Sequence, residues 1–132
     1  MTPSSFAGRS HSAEEPGGPD NVGLVLAQVA AYNARDIERT MSYYAADAVL
    51  VDGQGNVLDA DREAIRGAFE GVFAANPELH ADVPTAVGVG DWVMIHSIVP
   101  TWPMADGSRG ERQWIELYQV IEGKIRRVQL FR

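Results

Sequence analysis

The apolar positions of this chain fall first into helical and then into strand spacing. Val22, Leu26 and Val29 recur every three or four residues up to Asn33, with Val25 and Tyr32 beside them. This spacing puts them on one face of a helix, which Asp20 or Asn21 can cap and Asn33 can end. Asp36 can cap a second, short helix, "IERTMSYYA". The apolar run "AVLV" then reads as a strand, and "DGQGN" as a turn with two glycines. Asp61 caps a third helix, in which Ile65, Ala68, Phe69, Val72 and Phe73 form a stripe that stops at Asn76-Pro77.

Strand patterns fill the remainder. "LHADVPTAVGV" carries Pro84, which marks an edge or a bulge. "WVMIHSIVPTW" and "RQWIELYQVI" follow, and Glu122-Gly123 turns the second of these into "KIRRVQLF". Three N-terminal helices before a meander of strands predict an α+β fold. A highly curved, mostly antiparallel sheet would wrap the helices and enclose a pocket. Residues 1 to about 20 show no periodicity and are rich in Ser, Pro and Gly, which predicts a flexible tail ahead of one domain at 21–132. His11 falls in that tail and is given no function.

In the strand 113–121, Trp114, Glu116, Tyr118 and Val120 share one face, and Ile115, Leu117, Gln119 and Ile121 the other. Both faces are largely apolar, so both should be covered. The helices supply one cover; a second copy of the chain, in a homodimer, is expected to supply the other.

Composition narrows the class. A chain of 132 residues, 45% of them hydrophobic, fits one globular domain. No apolar run approaches the ~18 residues of a membrane helix, and Phe6 is the one large apolar residue near the N-terminus after Met1. With no cysteine, disulfides and thiolate chemistry are excluded, and a cytoplasmic location is expected. The net charge of −7 argues against nucleic acid as a partner. His80 and His96 lie on separate strands without a ligand motif, so no metal is expected. No glycine loop leads into a helix to hold a phosphate, and no other cofactor is implied.

Three stretches, "YNARDIERTMSYYAADAVLVD", "REAIRGAFEGVF" and "WIELYQVIEGKIRRV", resemble the nuclear transport factor 2-like superfamily, also called the SnoaL-like or ketosteroid isomerase-like group. The resemblance spans roughly residues 22–132 and implies a cone-shaped fold with a pocket between the concave sheet and the helices. Dimers are common in the group. Its members include isomerases, polyketide cyclases, dehydratases, epoxide hydrolases and proteins without catalysis, so the activity must be argued from the site.

Three residues are the candidates for acid–base work. Asp52 matches the isomerase branch's proton-shuttling carboxylate when the chains are aligned on Asp36. Its competing role is local, because Asp before Gly readily starts a turn. Glu116 shares a face with Trp114 and Tyr118, where an apolar setting would favour the protonated acid, able to donate to a developing oxyanion. It reaches the family position if the final hairpin is one residue shorter here; otherwise it pairs with Arg126 or Arg127 at the surface. His96 lies mid-strand, either as a general acid or base or as a structural histidine. Tyr32, Tyr43 and Tyr44 are weaker candidates. The isomerase branch's helix-borne tyrosine falls on Gln28, with Tyr32 one turn away. Trp102, Trp114 and Trp92 can line a pocket for a flat ligand. The epoxide hydrolase set is disfavoured, since Trp114 stands where that branch has Arg.

The expected function is therefore proton transfer, without a cofactor, on a small apolar or polycyclic carbonyl compound, of isomerase or polyketide-cyclase type. Asp52, Glu116 and His96 would do the chemistry, and Tyr32, Trp114, Tyr118, Gln28 and Trp102 would bind the substrate. The alternative is a noncatalytic ligand-binding or dimerisation module of the same fold.

Overall fold

A computed structural model describes residues 20–132; the expected tail, including His11, lies outside the described residues apart from Asp20. Three helices precede most of the sheet: α1 (Asn21–Asn33), α2 (Ile37–Ser42) and α3 (Arg62–Ala75). The strands are β1 (Tyr44–Val51), β2 (Val57–Asp59), β3 (Asp82–Val89), β4 (Trp92–Pro103), β5 (Arg109–Ile121) and β6 (Lys124–Phe131).

Each helix is started by an aspartate. The side chains of Asp20, Asp36 and Asp61 accept from the backbone N–H of Gly23, Arg39 and Ala64, at 2.8, 3.1 and 2.9 Å. Each bond satisfies an N–H that the first helical turn leaves without a partner. The second helix is shorter than its sequence pattern predicts. Tyr43 closes it and Tyr44 already belongs to β1, aligned with Ile125 of β6. Tertiary burial decides this boundary: Tyr44 is only 4% exposed and fits against the core as a strand residue.

The six strands form one curled but unclosed sheet in the order β2-β1-β6-β5-β4-β3. All neighbours are antiparallel except β1 and β6, which run parallel, so the sheet is mixed. The expected meander is present as β3-β4-β5-β6, and its last strand returns to lie beside the first. Pro84 falls where the β3–β4 register shifts, between Asp82 and Thr85, on an edge strand.

The helices pack on the concave face. Val25, Met41, Ile65, Val93, Ile95, Val120 and Ile125 form the fully buried centre. Two polar residues tie the helical layer to the chain beyond α3. Asn33 donates to the carbonyl of Ala81 and accepts from its N–H, both at 2.9 Å. Arg35, in the left-handed region at φ 61°, donates to the carbonyls of Asn76 and Leu79 at 2.9 and 2.5 Å.

The alternation of β4 is now assigned to faces. Val93, Ile95, Ser97 and Val99 are buried inward, while Met94, His96 and Ile98 lie on the convex side. That side exposes Val87, Val89, Trp92, Ile115 and Phe131. Among the described residues no helix is long and apolar enough to cross a membrane.

Candidate functional site

A cavity of about 240 Å³ lies between the concave face of the sheet and helices α1 and α3. Its walls are mostly apolar, with Val29 from α1, Ile65, Phe69 and Val72 from α3, and Leu50, Val128 and Leu130 from the sheet. Aromatic rings enclose it. Tyr32 meets Phe69 and Phe73 edge-on at centroid distances of 5.4 and 5.1 Å, and Trp102 meets Trp114 at 5.3 Å. These edge-to-face contacts add to the stability that ring burial already provides.

Glu116 projects into this cavity from the middle of β5, as do Trp114 and Tyr118 on either side of it. The two-residue period of a strand puts all three on one face. Both oxygens of Glu116 are engaged. The Tyr118 hydroxyl donates to Oε1 and the Trp114 indole N–H donates to Oε2, each at 2.5 Å. An indole N–H can only donate, so Oε2 is an acceptor in every protonation state. Oε1 is not so constrained: a protonated Glu116 would donate to the Tyr118 oxygen and free that hydroxyl to point elsewhere.

Burial is the dominant influence on the carboxyl and pushes its pKa up. The bonds from Tyr118 and Trp114, the charge of Arg132 and the Ser97 hydroxyl pull the other way without cancelling it. The residue is half-buried by surface area, but it lines the cavity, so the solvent that reaches it does so through that space. The tyrosines stay neutral. Burial first, and then the negative charge of Glu116, push Tyr32 up to about 12, with Arg35 opposing. The same two causes raise Tyr44 and Tyr118 well above the ordinary value. Tyr44 donates to Oε1 of Gln28 at 3.1 Å, so these two buried polar side chains of the wall satisfy each other.

Seven residues singled out from the sequence therefore meet at one cavity: Glu116, Tyr32, Tyr44, Trp114, Tyr118, Gln28 and Trp102. The alternative pairing of Glu116 with Arg126 or Arg127 is absent among the described residues; Arg126 lies 3.3 Å from Asp47 instead.

Four candidates lie elsewhere: Trp92 is exposed on the convex side, Tyr43 closes α2, and the acid–base candidates Asp52 and His96 are held outside the cavity. Asp52 is not in the cavity wall. Its Oδ1 accepts from the N–H groups of Gln54 and Asn56, both at 2.9 Å, and its Oδ2 from the Asn56 side chain at 3.2 Å. These bonds hold the carboxylate below its ordinary pKa, opposite to what a base working near neutral pH needs. The shift in register between Leu50 and Val51 accompanies this placement, with Leu50 left as the cavity residue. His96 sits on the convex side, its Nε2 2.8 Å from Oε1 of Gln113. It occupies the strand face opposite Ser97, and the sheet lies between it and the cavity.

Three polar residues of the wall were not singled out from the sequence: Asp59, Ser97 and Arg132. The period of β4 joins Ser97 to Val93 and Val99, but nothing in the sequence says which face turns inward. Arg132 stacks its guanidinium on Trp114, 5.7 Å from the ring centroid. Asp59 lies on β2 opposite Leu50, which is opposite Val128, which is opposite Tyr118. These four form a single row across the concave face, and no local motif signals it. Among the described residues, no three His, Asp or Glu side chains gather where they would hold a metal ion.

Comparison with known proteins agrees with the fold. The profile of the SnoaL-like domain matches residues 25–128. Among solved structures, an uncharacterized cystatin-fold protein from Novosphingobium aromaticivorans is 31% identical, with a TM-score of 0.78 over 87% of this chain and 100% of its own. IdmH from Streptomyces antibioticus, provisionally assigned as a polyketide cyclase, is 22% identical, with a TM-score of 0.67 over 82% of this chain and 88% of its own. A protein of ketosteroid isomerase-like fold from Catenulispora acidiphila, in complex with trimethylamine, is 21% identical, with a TM-score of 0.68 over 83% and 84%. No curated protein matches the sequence. A profile match across most of the folded region, on a cystatin-type sheet wrapped around helices, has one meaning: the chain belongs to the SnoaL-like domain family.

Proposed function

We propose that this protein moves a proton on a small, mostly apolar carbonyl compound held in the cavity, in a reaction of isomerase or cyclase type. One observation carries the reading. A carboxyl group, Glu116, sits in an apolar, aromatic-walled cavity between a tyrosine hydroxyl and an indole N–H. Burial favours its protonated form, and Tyr118 stays neutral beside it. Protonated Glu116 can give its proton to the carbonyl oxygen, and Tyr118 then donates to the carboxylate left behind, while water that reaches the cavity takes the proton from the α-carbon. The enol forms, and Glu116 is reprotonated from solvent. Tyr32 adds a second neutral hydroxyl on the helical side of the cavity. Trp114, Trp102 and Gln28 bind and orient the ligand. Asp52 and His96, facing away, have no part in the chemistry.

Cavity size bears on the substrate. A dry protein cavity of about 150 Å³ accepts benzene. The space here, about 240 Å³, is suited to one or two rings and is small for a four-ring skeleton. The polyketide-cyclase assignment of one structural neighbour and the ketosteroid isomerase-like fold of another are compatible with such a ligand, but the likeness to both is one of fold alone.

A second reading is a noncatalytic ligand-binding module. It is favoured by the full engagement of both Glu116 oxygens by protein donors. Exchange of hydrogen on 2-tetralone, a two-ring ketone, separates the two. The protein is incubated with the ketone in D2O and the loss of α-C–H signal is followed by NMR. Acceleration over buffer is expected; saturable binding without acceleration establishes the module instead.

A further inference from the structure

We infer that Asp59 is a second recognition point of the cavity, taking a hydroxyl or other hydrogen-bond donor at the end of the ligand remote from Glu116. The inference rests on the cavity being a ligand site, as proposed above, and adds that the ligand carries polar groups at both ends.

The sheet register supplies the geometry. Asp59, Leu50, Val128 and Tyr118 sit side by side on four adjacent strands, and all four line the cavity. Three strand-to-strand steps span ~14 Å of backbone arc, which the curl of the sheet shortens on the concave side. At one end of the row, Tyr118 holds Glu116. At the other is a carboxylate on the edge strand β2, with two apolar side chains between them. The wall is thus polar, apolar, apolar, polar, a pattern that matches a compact ring system with a polar group at each end.

The Asp59 carboxylate is free for such a role. Every other aspartate in the first half of the fold is engaged: Asp20, Asp36 and Asp61 cap helices, Asp47 meets Arg126, and Asp52 builds its turn. Asp59 has no hydrogen bond or ion pair among the described residues, although it is half-buried in an apolar wall. Burial is accordingly what shifts its pKa, upward, with no partner opposing. That carboxylate has no protein partner among the described residues and meets only solvent, so a ligand donor entering the cavity would take the place of water on it.

Two probes of equal ring size test this: 2-naphthol, with one hydroxyl, and 2,6-dihydroxynaphthalene, with one at each end. Binding is read from the fluorescence of Trp102 and Trp114 in the cavity wall. The wild type should bind the diol about tenfold or more tightly than 2-naphthol, the increment of one hydrogen bond to a charged group. Asp59→Ala should bind the two alike, and Asp59→Asn, which keeps an acceptor oxygen, should recover part of the preference. An undiminished preference in Asp59→Ala, equal binding by the wild type, or no binding of either probe at millimolar concentration would overturn the inference. Its fate is separable from that of the enzymatic reading. A wild type that prefers the diol yet fails to exchange 2-tetralone retains the Asp59 subsite and loses the catalysis.

Discussion

Tyr118→Phe is the sharpest perturbation of the site, because it deletes one atom and leaves the packing. The ring of Tyr118 is 3% exposed and its oxygen meets Oε1 of Glu116 at 2.5 Å. Without that donor, ionised Glu116 keeps only the Trp114 bond of the two at its carboxylate oxygens. A hydrogen bond to a charged group contributes roughly 1.5–3 kcal/mol, and a bond between neutral groups roughly 0.5–1.5 kcal/mol. The variant should therefore lose about 1.5–3 kcal/mol of stability where Glu116 is ionised and about 0.5–1.5 kcal/mol where it is protonated. The Tyr118 bond is also the largest influence holding the Glu116 pKa down against burial. Its removal should raise that pKa further. Urea denaturation at acid and neutral pH measures the first effect, and carbon-detected NMR of the Glu116 carboxyl the second. A loss independent of pH, or a Glu116 titration unmoved or shifted downward, would refute the argument that Tyr118 supports the ionised form.

Four further outcomes are expected. Because burial raises the pKa of Glu116, its contribution to stability is fully present below the unfolded-state value and is lost as pH rises through the folded value. The stability difference between wild type and Glu116→Gln, from urea curves, should therefore move against the wild type as pH rises across that window; movement in its favour would contradict the sign. Asp52→Ala and His96→Ala should leave 2-naphthol affinity and 2-tetralone exchange unchanged, since neither residue lines the cavity. Gly88→Ala should cost about 1–3 kcal/mol by thermal or urea unfolding, because an added Cβ would stand 2.5 Å from Cγ2 of Val22, a stiff β-branched side chain on α1. We also propose that the apolar convex face, with Val87, Trp92, Ile115 and Phe131 exposed, pairs two copies of the chain; light scattering should give twice 14.4 kDa, falling to the monomer mass in Ile115→Asp, and a monomeric wild type at micromolar concentration would dismiss the pairing.

The features legible in the sequence were those encoded locally or by period. Asp20, Asp36 and Asp61 announce their helices because a cap needs only three neighbouring residues. The face shared by Trp114, Glu116 and Tyr118 follows from a period of two. The order of strands does not: nothing in "KIRRVQLF" says that it returns beside "AVLV" in parallel, since that pairing joins segments some eighty residues apart. The row that places Asp59 level with Tyr118 depends on that same pairing and was hidden with it. Tyr44 shows the converse. Its helix-compatible neighbourhood is overridden by burial against Gln28, a contact formed only once the fold exists. Asp52 was read two ways from "VDGQGN", as turn-former and as base. Its three hydrogen bonds, all inside the turn, assign it to the turn.

The central claim is that Glu116 transfers a proton within the cavity. Hydrogen exchange of 2-tetralone in D2O, compared between wild type and Glu116→Gln at matched occupancy, tests it most directly. The wild type should accelerate exchange over buffer, and the variant should lose roughly 100-fold or more of that acceleration, the usual contribution of a positioned acid–base group. Equal exchange by the two proteins, or none by a wild type that binds the ketone, would contradict it.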